Sequence, residues 1–240
     1  MDDSEVFTPQ LPTPTAARPL VGLTVLVVED SHYASEAVRL LCLRSGARIR
    51  RADCLQSARK HLRVYRPSVA IIDLGLPDGS GVQLIEELSA SHPRIPVLLG
   101  TSGDEWAKDA AIAAGADGFV AKPITSLAAF QQLVLDRLPP DRQPNGLRAV
   151  PDQEIQPDPI AYQDDMALIA EVLENSTDEE KVLDYVAQFV SGLARSAKDH
   201  QLAAAAEKLA STRAQGGPVA SQTAVLAGLV HDRLAERKVI

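Results

Sequence analysis

The residues of this chain best suited to chemistry stand at the ends of short apolar runs. Glu29-Asp30 follow one run, Asp73 closes another, Thr101-Ser102 follow a third, and Lys122-Pro123 follow a fourth. Three carboxylates brought to adjacent strand ends repel one another strongly if left unpaired. A hard divalent cation relieves that repulsion, and a few carboxylates completed by waters suit Mg²⁺. A lysine opposite the acids holds an anionic group, and a hydroxyl donates a hydrogen bond to it. An aspartate beside the metal can act as a nucleophile and become an aspartyl phosphate. The metal, Lys122 and Thr101 would then offset the phosphoryl charge. Each residue alone is ordinary; together, in this order, they are specific.

Those residues need a scaffold that gathers strand ends. Apolar runs at 24–28, 47–51, 69–73, 96–100 and 118–121 alternate with helical patterns at 32–45, 55–65, 81–91, 105–114 and 126–138. Such β-then-α units in succession imply an α/β fold, a parallel sheet with helices on both faces. Runs such as VLVV and VAII fit strands buried on both sides, and in such sheets chemistry collects at the carboxyl ends. The first domain is expected over 21–138. Residues 1–20, with four prolines, read as a disordered leader, and 139–160, with six, as an extended linker. Beyond it, 161–240 shows no strand signal. Helices are expected near 166–173, 179–193, 200–213 and 219–237, with Thr177-Asp178-Glu179-Glu180 capping the second and Gly216-Gly217-Pro218 breaking the third from the fourth. Four helices suggest a small bundle.

Composition narrows the classes. The 240 residues carry 24 Lys+Arg against 32 Asp+Glu, a net charge of −8, which argues against gripping nucleic acid by bulk electrostatics. Cys42 and Cys54 cannot build a disulfide framework, and no Cys/His cluster suggests zinc. No apolar run is long enough to span a membrane, and the acidic N-terminus is not a signal peptide. A cytoplasmic protein with no membrane contact is the expectation.

The stretches VLVVED, VAIIDLGLPDGSG, IPVLLGTSGD and AGADGFVAKPI, which frame residues 25–124, resemble the receiver domain of bacterial two-component response regulators. The resemblance implies a flavodoxin-like, doubly wound, five-stranded parallel sheet of order 2-1-3-4-5. It implies Asp73 as phosphoacceptor, phosphorylated by a sensor histidine kinase or phosphotransfer protein. Mg²⁺ would be held by Glu29, Asp30, Asp73 and the backbone carbonyl of Gly75. Thr101 and Lys122 would contact the phosphate, Phe119 would be the aromatic switch, and Lys122-Pro123 would be joined by a cis bond. The activity implied is signalling, confined to autophosphorylation and autodephosphorylation at Asp73. Gly75 and Gly103 border the route to the phosphate, and without side chains there the attacking water is expected to be poorly shielded and the phosphorylated state short-lived.

Plainer readings stand beside these. Phe119 could be fixed core and Ser102 a second hydroxyl, although spacing from Pro96 favours Thr101. Cys42 reads as core and Cys54 as a structural helix opener. His32 could tune the pocket mouth, and Trp106 could report on phosphorylation or simply pack on the surface.

The second domain shows no basic recognition helix. Residues 161–240 hold eight Lys+Arg against twelve Asp+Glu, net −4, so DNA is not the expected partner. The segment from Ala197 to Leu234 is weakly similar to a histidine phosphotransfer domain, with Glu207 where the phosphorylated histidine would stand and Lys208-Leu209 after it. Glutamate cannot relay a phosphoryl group, so this would be a degenerate module that binds without transferring. The leading expectation is therefore a response regulator whose helical domain makes switched protein–protein contacts, including a possible homodimer. The rivals are a transcription regulator with an atypical DNA-binding bundle, a phosphotransfer hybrid using His200 or His231, a docking bundle with no catalytic residue, and a receiver that never cycles.

Overall fold

The computed structural model of the protein describes residues 13–104, 106–144, 153–175 and 179–236. Strands β1 (Thr24–Val28), β2 (Arg48–Ala52) and β3 (Val69–Asp73) alternate with helices α1 (His32–Ser45) and α2 (Leu55–Val64). A two-residue ribbon, β4 (Gly75–Leu76) with β5 (Gly79–Ser80), leads into α3 (Gly81–Ser89). Then come β6 (Val97–Ser102), α4 (Ala107–Ala113), β7 (Gly118–Ala121) and α5 (Leu127–Leu135). The large sheet is parallel throughout, in the order β2-β1-β3-β6-β7. With the ribbon left out of the count, this is the expected 2-1-3-4-5. Glu105, expected to open α4, lies outside the described residues.

Alternate residues of the central strands serve opposite faces, as the two-residue strand period requires. Val25, Val27, Val69, Ile71, Val97 and Leu99 pack with Val38 and Leu41 of α1 and Phe130 and Val134 of α5. Leu26, Val28, Ala70, Ile72 and Leu98 pack with Leu55, Leu84, Ile85 and Ala111 of α2, α3 and α4. Edge strand β2 exposes Arg48, Arg50 and Arg51, charges that discourage pairing with another chain. Ser31 caps α1 by accepting from the Ala34 N–H at 3.0 Å, and Gly46 (φ 85°) ends it in the left-handed conformation that glycine tolerates.

Both presumed flexible segments are partly tied down. Leu20 is fully buried and its N–H donates to the Ser45 carbonyl; leader residues 1–12 lie outside the described residues. In the linker, Gln153 and Ile155 pair with Leu127 and Thr125, and Ile155 is buried against the α1–α5 core. One apolar side chain per segment suffices to anchor it, a signal that proline content masks. Linker residues 145–152 lie outside the described residues.

Four more helices follow: α6 (Pro159–Asn175), α7 (Glu179–Ser196), α8 (His200–Ala214) and α9 (Ala220–Ala235). Helix α6 starts earlier than its apolar spacing predicts, because the Asp158 carboxylate accepts from the Ile160 N–H at 2.8 Å and Pro159 suits a first turn. The cap expected at Thr177-Asp178 lies outside the described residues. Met166, Ile169, Val186, Val190, Leu202, Leu209, Leu226 and Val230 form the shared core. At one end Asp199 caps α8, takes the Arg233 guanidinium at 2.7 Å and accepts from the Tyr162 hydroxyl at 3.2 Å. No helix among the described residues is long and apolar enough to cross a membrane.

Ile71 is wholly buried in the central strand. Ile71→Ala should lower stability by about 2–5 kcal/mol, read as a fall in the urea midpoint; a change under ~1 kcal/mol would contradict this packing.

Candidate functional site

Strand register brings the acids together. Val28 is level with Ile72, so Glu29 and Asp30 leave β1 beside Asp73 at the end of β3, and Asp73 is in register with Thr101 of β6. All three acids are buried, and each offers an oxygen within 4.8 Å of the others. Lys122, just beyond β7, lays its Nζ 2.8 Å from Glu29 Oε1 and 2.9 Å from Asp73 Oδ2. The Lys122-Pro123 bond is cis. A Cβ on Gly81 would collide with the Asp73 carbonyl oxygen, so only glycine lets α3 begin this close to the acid. The Gly75 N–H reaches Asp73 Oδ1 at 3.4 Å.

Electrostatics follow from burial. Burial pushes the Glu29 carboxyl up to about 8 against the pull of Lys122, with Asp73 and Asp30 adding to the rise. Asp30 is pushed up to about 7, by burial first and by Asp73 second. Burial opposes the charge on Lys122, yet Asp73 and Glu29 together hold its ammonium above the ordinary lysine range. A single lysine thus undercompensates three acids, and this donor set of close carboxylate oxygens fits a hard divalent cation.

Not every expected residue faces the pocket. The Thr101 hydroxyl donates to the Val120 carbonyl at 2.8 Å, whereas Ser102 and Gly103 line the cavity. Phe119 is half-buried against the α2–α3–α4 side of the sheet, level with Gly100. His32 is exposed, and its backbone N–H serves the start of α1. Trp106 is 90% exposed and so does not pack on the surface. Cys42 is buried core, and the Cys54 sulfur caps α2.

The cavity above the acids, about 590 Å³, is closed on its other side by the helical bundle. Asp165 of α6 is fully buried and accepts from the Ser31 hydroxyl (2.8 Å) and the N–H groups of His32 (2.8 Å) and Tyr33 (3.0 Å). It thereby satisfies the first turn of α1 with a negative charge at the positive end of the helix. Burial raises the Asp165 pKa against these three hydrogen bonds. The Tyr185 hydroxyl donates to Asp30 Oδ2 at 2.9 Å, and Arg195 donates to the Gly103 carbonyl and to Glu207. Gly75 and Gly103 therefore do not leave the phosphate route bare, because α7 lies over both. A Cβ at Gly75 would collide with the Gln188 amide, and one at Gly103 would meet Gly192. Glu207 lines this cavity; His200 and His231 do not.

Sequence reasoning missed Asp165, Tyr185, Gln188 and Arg195. Asp165 alone left a trace, an acid beside Met166 on the apolar stripe of α6 where a charge needs partners. The others look like ordinary residues of an amphipathic helix.

This sheet order with an acid triad and lysine at its carboxyl edge defines a receiver. Residues 25–134 match the family model of the response regulator receiver domain, and that part of the chain is a response regulator receiver domain. It is 34% identical over 118 residues to the virulence transcriptional regulatory protein PhoP of Salmonella typhimurium, covering 48% of this chain and 53% of that one. It is 32% identical over the same length to the transcriptional regulatory protein PhoP of Escherichia coli K12. The chain spans about half the length of these curated relatives. Among solved structures, the receiver of a sensor histidine kinase from Pseudomonas aeruginosa PAO1, with a magnesium ion coordinated in its active site cleft, is 19% identical with a TM-score of 0.44, covering 48% of this chain and 96% of that one.

Two outcomes follow. Glu29 and Asp30 bind protons more tightly folded than unfolded. In chelator-treated buffer, stability should therefore fall as pH rises from roughly 5 through about 8. Urea unfolding across that range checks it, and a rise would refute the electrostatics. Asp165→Ala strands the α1 donors and should cost about 1–3 kcal/mol. It should also enlarge the molecule in small-angle scattering; unchanged size and stability would deny Asp165 this role.

Proposed function

We propose that Asp73 accepts a phosphoryl group from a histidine kinase or phosphotransfer protein and that this switches the contacts of the helical bundle. The observation that carries the reading is Lys122 bridging Glu29 and Asp73 at the carboxyl edge of the sheet, beneath α7. A carboxylate oxygen of Asp73 attacks phosphorus, a P–O bond forms as the donor's P–N bond breaks, and the electron pair returns to the donor imidazole. Glu29, Asp30, Asp73 and the Gly75 carbonyl would hold Mg²⁺, which when bound offsets the charge gathering between nucleophile and phosphoryl group.

Lys122 is already in contact with Asp73 and needs only a small shift to meet a phosphoryl oxygen. Thr101 must first give up the Val120 carbonyl, exchanging a neutral hydrogen bond for a charge-assisted one. Val120 adjoins Phe119, so the exchange would loosen the strand that holds the ring. Segments 104–114 and 119–126 would move with it. Asp30 and Gly103 hold α7 through Tyr185 and Arg195, so phosphate at Asp73 bears directly on bundle docking.

The chemistry at Asp73 serves signalling, and the favoured output is a protein–protein contact made by the bundle, a homodimer included. A second reading is favoured by the curated relatives, which are named transcriptional regulatory proteins. Under it the bundle binds DNA, and binding would weaken steeply with salt.

Mg²⁺-dependent treatment with a small phosphodonor should add one phosphoryl group to wild type and none to Asp73→Asn, measured by intact mass. Equal labelling of both, or none of the folded wild type, would overturn Asp73 as the acceptor.

A further inference from the structure

We infer that Gln188 is a catalytic residue for hydrolysis of the Asp73 phosphate, so that the helical bundle is a dephosphorylating module carried by the receiver it acts on. The inference rests on the phosphoacceptor reading of Asp73 and adds the group that ends the phosphorylated state.

Placement comes first. Gln188 reaches from α7 into the space that a side chain at position 75 would fill, two residues from Asp73. It is exposed to the cavity that Asp73 and Lys122 also line. Tyr185, Gln188, Gly192 and Arg195 recur at three- and four-residue spacing, so they share one face of α7. Tyr185 is tied to Asp30 on one side of Gln188, and Arg195 to the Gly103 carbonyl on the other. The helix is thereby held against the receiver at both ends of this face, and the amide is positioned in advance.

Chemistry comes second. Tyr185 and Arg195 are spent on receiver groups, but the Gln188 amide makes no hydrogen bond among the described residues. Asp184 and Glu207 also line the cavity, yet a carboxylate there would repel a phosphorylated aspartate. A carboxamide is neutral, with an oxygen that accepts from water and an NH₂ that donates to a phosphoryl oxygen. Orienting an attacking water is work glutamine does in other phosphoryl transfers. The cavity, at about 590 Å³, has room for a phosphoryl group and the water beside it.

The step is a hydrolysis that needs no reactant beyond water. The water oxygen bonds to phosphorus as the bond between phosphorus and the Asp73 oxygen breaks. The electron pair returns to the Asp73 carboxylate, and a water proton passes to the departing dihydrogen phosphate. Gln188 accepts a hydrogen bond from the water while donating to the phosphoryl group.

The test uses the full chain, phosphorylated with a small phosphodonor that is then removed. Intact mass follows the phosphate, and small-angle scattering follows bundle docking. Gln188→Ala should hold phosphate at least roughly tenfold longer than wild type, with an unchanged scattering profile. The near-isosteric Gln188→Glu keeps the bulk but loses the amide donor, and should also be slow. Equal or shorter lifetimes in Gln188→Ala, or a wild-type lifetime in Gln188→Glu, would reduce Gln188 to a space-filler and overturn the inference, leaving Asp73 as acceptor. No phosphate on either wild type or Gln188→Ala would overturn both readings.

Discussion

Burying Glu29, Asp30 and Asp73 against one another would be prohibitive without Lys122. Removing even one ion from water costs several kcal/mol, and here three acids share a site with one ammonium. The lysine must stand close to Glu29 and Asp73 at once. Four parallel strands in register put it there, since β1, β3, β6 and β7 deliver their carboxyl ends to one edge. Gly81 belongs to the same constraint, because only a residue without Cβ lets α3 start against the Asp73 carbonyl. The charge deficit that remains is what makes the site receptive to a cation.

The bundle is attached to this edge by polar groups rather than by a continuous apolar seam. Asp165 takes the donors at the start of α1, Tyr185 reaches Asp30, and Arg195 reaches the Gly103 carbonyl. Interfaces of this kind separate more readily than cores, because water can replace each hydrogen bond. An interface that shares Asp30 with the pocket is coupled to its charge state by direct contact. Gly75 and Gly103, which in isolation suggest an exposed phosphate, make room for α7. Glu207 of α8 also lines the cavity over the acids.

Much of the receiver was legible along the chain because its signals are local. The runs VLVV and VAII announce strands buried on both faces, and β1, β3, β7 and α1 run over the residues their patterns mark. Glu29, Asp30, Asp73 and Lys122 could be picked out because polar residues directly beyond apolar strands have few reasons to be there. The Thr101 hydroxyl was less legible, since its hydrogen bond to Val120 depends on the neighbouring strand. Leu20 and Ile155 were overlooked because a lone apolar residue among prolines has no period to reveal it.

By itself, the order of residues determined the alternating elements, the acid-and-lysine set at the strand ends and a separate helical segment. These depend on periodicity and on chain neighbours, which a linear reading contains. Tertiary structure alone decided that α7 covers the acids, that Asp165 completes α1 and that Gln188 stands beside Gly75. The physical reason is range: these contacts join residues more than a hundred positions apart, and contacts made by single polar groups leave no hydrophobic period to mark either partner.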